Sequence, residues 1–279
     1  MSYHDGSQSG QIDVAKSTDA GHTWSSVAEA VSPQLRNQVS FINLLGNIVV
    51  DQNSHTVYQL FVAGTKTAKG PQHDYGTVYM AVSRDGGQTF VDNLVYQGPT
   101  GARLNNLWPV AAVDGGGNVY AGWSDGHDVW IASSVDSGMT WGAPVKVSQD
   151  VSEGLQTSVE PWLYGGQDGN IAVVWYGSAS MDKMDSVATW NVYFAQVRGA
   201  TSSAPSITQV VASDHPVLQG ALCTLDDACP SKTRTLYDDF GVALDPRTGL
   251  AAIAYGDASD STTNPYQIDV AWQTSGPSL

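Results

Sequence analysis

Short apolar runs alternate with polar turns along the whole chain. QIDVAKS, TVYMAVS and DVWIASS alternate with a period of two, which predicts half-buried strands. Longer segments share another pattern: an apolar run, a Gly/Asp-rich turn and a second apolar run. They are LGNIVVDQNSHTVYQLFVAG from Leu45, WPVAAVDGGGNVYAGWSDG from Trp108, EPWLYGGQDGNIAVVWYGS from Glu160 and DFGVALDPRTGLAAIAYGD from Asp239. Each predicts a hairpin, with Asp51, Asp114 and Asp245 at the end of the first strand. No stretch sustains apolar residues at i, i+3, i+4 and i+7, so long amphipathic helices are excluded.

An octapeptide closes the alternating runs. It reads STDAGHTW from Ser17, SRDGGQTF from Ser83 and SVDSGMTW from Ser134, or S-x-D-x-G-x-T-[WF]. Asp19, Asp85 and Asp136 are placed to accept backbone N–H groups inside a turn. Gly21, Gly87 and Gly138 supply positive φ, and Trp24, Phe90 and Trp141 are apolar plugs. The two repeats interleave into a unit of four antiparallel strands, with the octapeptide between strands three and four. Successive aspartates lie 66 and 51 residues apart, the range of a loop-rich propeller blade. An all-β propeller is the expected fold, with about five blades visible and six in a longer parent. The boundaries are a partial unit 1–32, units 41–98, 107–149 and 158–213, and a partial unit 237–279. The chain opens near the end of a second strand and stops after a third. A composite closing blade or missing upstream blades are the two expectations. In the fourth unit VYFAQVRGATSSAPS replaces the octapeptide.

Composition narrows the partners. The chain has 279 residues, 12 Lys+Arg, 27 Asp+Glu and a net charge of -15. That balance argues against nucleic acid and against an anionic membrane surface. No apolar run is long enough for membrane insertion. Glutamate occurs only at Glu29, Glu153 and Glu160. The abundant aspartates suit turns. Cys223 and Cys229 are spaced for a small disulfide-closed loop, with two buried free thiols as the alternative. A disulfide would fit a secreted protein, although MSYHDGSQSG is not a signal peptide. No cofactor is implied. The loops HDGSQSG, SMDKMDS and GDASDSTTN offer oxygen ligands for calcium, without EF-hand spacing.

The three octapeptides resemble the Asp boxes (BNR repeats) of the sialidase, or neuraminidase, superfamily. The resemblance implies a propeller that hydrolyses terminal sialic acid from a glycan or glycoconjugate. It implies a tyrosine nucleophile, a glutamate that activates it, an aspartate acid/base and three arginines on the sugar carboxylate. Carried onto this chain, the clamp falls to Arg36, Arg103 and Arg234, in segments leading into first strands. Arg84, Arg198 and Arg247 fall on the opposite face. Glu160 begins a first strand and takes the activating role. Tyr255, with Tyr176 as a second choice, ends a second strand and takes the nucleophile's. Asp125, beside His127 and matched by Asp5 beside His4, takes the acid/base role. The segment from Thr233 to Phe240 concentrates Arg, Tyr and Asp at a blade entrance. The Phe/Tyr-Arg-Ile/Leu-Pro motif of the family is absent. A non-catalytic propeller that binds glycan or protein is therefore the alternative. An acidic chain matches an anionic sugar poorly unless a local basic patch overrides it.

Overall fold

The computed structural model describes residues 1–5, 10–25, 28–67, 70–71, 75–149, 154–224, 229–231, 233–236, 240–259 and 267–279. Asp239 and most of the loops HDGSQSG and GDASDSTTN lie outside the described residues. The described strands form five antiparallel sheets in chain order. The first holds β1 (Ser2–His4), β2 (Ile12–Val14) and β3 (Ala28–Glu29). A six-residue helix, α1 (Pro33–Gln38), follows, and the Ser32 side chain caps it by accepting from the Leu35 N–H. The second sheet holds β4 (Val39–Val50), β5 (Val57–Thr67), β7 (Thr77–Ser83) and β8 (Val91–Gln97), with β6 (Gly70–Pro71) on β5.

The third sheet holds β9 (Val110–Val113), β10 (Val119–Ser124), β11 (Val129–Ser134) and β12 (Val145–Lys146). The fourth holds β13 (Thr157–Gly165), β14 (Asn170–Ser178), β15 (Thr189–Arg198) and β16 (Ser206–Val211), with β17 (Leu218–Gln219) on β15. The fifth holds β18 (Gly241–Leu244), β19 (Ala251–Asp257) and β20 (Gln267–Trp272). No helix among the described residues is long and apolar enough to cross a membrane.

Each core cluster lies between consecutive sheets. Ile12 and Val14 pack on Phe61 and Ala81; Tyr58 and Met80 on Trp123; Ile131 and Val110 on Ile171 and Leu163; Val174 and Trp190 on Ile253. Middle strands are therefore covered on both faces, and β14 is buried along eight of its nine residues, which is why it reads as a continuous apolar run rather than an alternation. The sheets approach closely at glycines. A Cβ on Gly165 would lie 2.0 Å from the Val113 carbonyl oxygen. The outward face of the fifth sheet leaves Ile268, Val270 and Trp272 exposed.

The octapeptide turns are built alike. In each, one aspartate oxygen accepts the threonine N–H and the other its hydroxyl: 2.8 and 2.6 Å at Asp19, 3.0 and 2.6 Å at Asp85, 2.9 and 2.6 Å at Asp136. The serine hydroxyl donates to the same aspartate and accepts the glycine N–H. These bonds favour the carboxylates' charged form, holding Asp19 and Asp136 down at about 2 and Asp85 lower still. Neighbouring turns touch: Lys16 Nζ donates to the Gly86 carbonyl and Arg84 to the Ser137 carbonyl. All three thus line one rim. The fourth sheet closes its β15–β16 hairpin differently, with Gly199 at φ 63° and the Ala200 N–H on the Gly169 carbonyl.

Candidate functional site

Glu160 is the most unusual residue in the fold. Its φ is +55°, in the left-handed region, and it sits where β13 slips register between Val159 and Trp162. A non-glycine residue there costs about 1–2 kcal/mol, and bulges often re-aim a side chain beside a functional site. Leu107 carries the same strain, at φ +57°. Both line one small hollow with Trp108, Pro161, Trp162 and Phe240. The Glu160 N–H donates to the Asn106 carbonyl at 3.0 Å, and its carboxylate Oε2 is shielded from solvent. Backbone strain concentrated at one hollow is a marker of function.

A half-buried ammonium joins this centre through Asn106. Lys183 lies in the β14–β15 connection. Its Nζ donates to Asn106 Oδ1 and Thr224 Oγ1, each at 2.5 Å. Three segments thereby meet: the lead into β9, the β14–β15 connection and the chain after β17. The Leu222 N–H on the Lys183 carbonyl, at 2.7 Å, reinforces the junction. Burial, then the Arg103 guanidinium, pulls the ammonium down to about 8, against the carboxylates of Asp182 and Glu160. One further cation and two carboxylates therefore act on Lys183, in a chain of net charge -15.

Arg103 also borders a cavity of about 400 Å³ between the second and third sheets, walled by Tyr96, Trp123 and Trp130. Tyr96 and Trp123 stack with ring centroids 5.3 Å apart. The cavity sets aromatic faces beside the Arg103 guanidinium, the Asp125 carboxylate and His127.

Of the remaining sequence candidates, Asp125 lines the same cavity as Arg103, with His127 beside it. Arg36 is carried on α1 and pairs with Glu29 at 3.3 Å. Arg234 is half-buried in the segment before the fifth sheet. The Arg103 guanidinium acts on the Lys183 ammonium. Asp125 is held by its own turn: Oδ1 accepts the His127 and Asp128 N–H groups, and Oδ2 the Trp130 indole at 2.8 Å. Both of its oxygens are thus engaged by the turn while the residue borders the cavity. Tyr255 lies in the core between the fourth and fifth sheets, 4% exposed. Burial, with the carboxylates of Asp269, Asp214 and Asp257 behind it, pushes its hydroxyl up, the wrong direction for a nucleophile. Tyr176 ties the same two sheets through its hydroxyl, which accepts the Gly256 N–H at 2.9 Å.

Cys223 and Cys229 form a disulfide, which ends the choice the spacing left open. Lys183 was missed because SMDKMDS reads as an acidic loop. Its aspartates instead serve the loop itself, Asp182 accepting the Met184 N–H and Asp185 the Val187 N–H. The available signal was one lysine in a connection between second and third strands.

No protein-family model and no curated protein matches the sequence. Solved structures do match the fold. A protein of unknown function from Dyadobacter fermentans is 14% identical, with a TM-score of 0.58 over 98% of this chain and 66% of its own. The leech intramolecular trans-sialidase is 12% identical, with a TM-score of 0.55 over 93% of this chain and 36% of its own. The intramolecular trans-sialidase of Ruminococcus gnavus is 13% identical, with a TM-score of 0.52 over 94% and 50%. This chain thus spans about a third to two thirds of their lengths. The likeness is one of fold, and it makes the chain a β-propeller of the kind found in glycosidases.

Proposed function

We propose that the chain is a secreted glycoside hydrolase of the sialidase type, acting on a terminal anionic sugar of a glycan. The observation that carries the reading is that Lys183, acted on by Arg103, joins the strained, buried Glu160 through Asn106. Arg103 offers planar paired donors to a sugar carboxylate, and Lys183 a point charge beside it. Glu160 takes the role that the Asp-box resemblance gives it, polarising a nucleophile. The disulfide supports an oxidising compartment.

A glycan-binding propeller without turnover is the second reading. It is favoured by the occupation of Tyr255 in the core and of Asp125 in its turn. Hydrolysis of an aryl α-sialoside separates the two. The hydrolase reading expects turnover that falls at least a hundredfold in Glu160→Gln, with the variant still folded. Saturable sialoside binding with no release of the aryl group selects the binding reading. Neither binding nor turnover overturns both.

A further inference from the structure

A second constellation lies away from this centre, where the connection from the fourth sheet meets the end of the fifth. His215 is in the loop after β16, Asp257 ends β19 and Asp269 is in β20. One donor atom from each lies within 4.8 Å of the others. The Ala258 N–H on the Val217 carbonyl, at 2.8 Å, pins the His215 loop to β19. Three separate stretches of chain therefore deliver one imidazole nitrogen and two carboxylates to one point.

Two further features bear on a cation at this point. His215 Nδ1 is engaged by Asp214 Oδ1 at 2.6 Å, which aims Nε2 at the two inner carboxylates. A carboxylate on the far nitrogen of a ligating imidazole is the usual outer support of a metal-bound histidine. The Asp257 side chain is wholly buried, yet faces a second carboxylate, that of Asp269. Three carboxylates surround one imidazole, so even a charged His215 leaves the group negative.

We propose that His215, Asp257 and Asp269 bind a first-row divalent cation, with Asp214 orienting the histidine. One nitrogen and two oxygens suit Zn²⁺ or Mn²⁺ better than Ca²⁺ or Mg²⁺, which take oxygen ligands. The ion would fasten the connection between the two sheets. It is independent of the hydrolase reading.

Isothermal titration of the chelator-dialysed full chain with Zn²⁺ and with Mn²⁺ tests this. One equivalent should bind, at least tenfold tighter than Ca²⁺. Affinity should fall at least tenfold in Asp269→Asn and in His215→Ala. In Asp214→Asn, a change at an exposed side chain, it should fall about tenfold. Circular dichroism checks that each variant is folded. Absence of saturable binding, tighter binding of Ca²⁺, or unchanged affinity in folded Asp269→Asn and Asp214→Asn overturns the proposal.

Discussion

At the scale of the residue, two kinds of charge behave oppositely. The octapeptide aspartates are held charged by three or four hydrogen bonds each, at the surface. Asp19 and Asp136 lie at about 2 in the fold, below the unfolded value near 3.9. Their stabilisation is therefore present above pH 4 and is lost as pH falls through 2. Urea midpoints measured from pH 5 to pH 2 should decline, and the decline should be shallower in Asp19→Asn/Asp136→Asn. Lys183 is the reverse case. At about 8 it loses its charge within an accessible range. For an anionic sugar, kcat/KM should fall as pH rises through 8. The fall should disappear in Lys183→Met, whose KM at pH 7 should be ten- to a hundredfold higher.

At the scale of the element, the turn chemistry was legible and the loop chemistry was not. Aspartate, glycine and threonine at fixed offsets announce a hairpin because the bonds are local. Lys183, Asn106 and Thr224 are separated by 77 and 41 residues along the chain. No local pattern announces such a meeting. Likewise, Tyr255 ends a second strand as a funnel residue would, but the facing sheet covers it. Two element-level outcomes follow. Gly165→Ala places a Cβ against the Val113 backbone and should cost about 3 kcal/mol in urea unfolding. Cys223→Ser/Cys229→Ser opens a small loop and should cost about 2 kcal/mol. It should also lower sialoside turnover, because Thr224 beside Cys223 anchors Lys183.

At the scale of the molecule, the repeat explains why the architecture was readable when the site was not. Each sheet buries apolar surface against the next, so the apolar pattern recurs from unit to unit and reports the fold repeatedly. The site is built once, from segments that differ between units. Its carboxylate was visible as one of three glutamates in the chain, and one of its cations as an arginine before a first strand. The other cation was hidden in an acidic loop. The central claim is that an anionic sugar rests on Arg103 and Lys183, with Glu160 joined to Lys183 through Asn106. A crystal structure with a sialic-acid-derived inhibitor tests it most directly. The account predicts the sugar carboxylate within about 3 Å of both the Arg103 guanidinium and the Lys183 ammonium. A sugar bound elsewhere, or one whose carboxylate faces away from both cations, would contradict it.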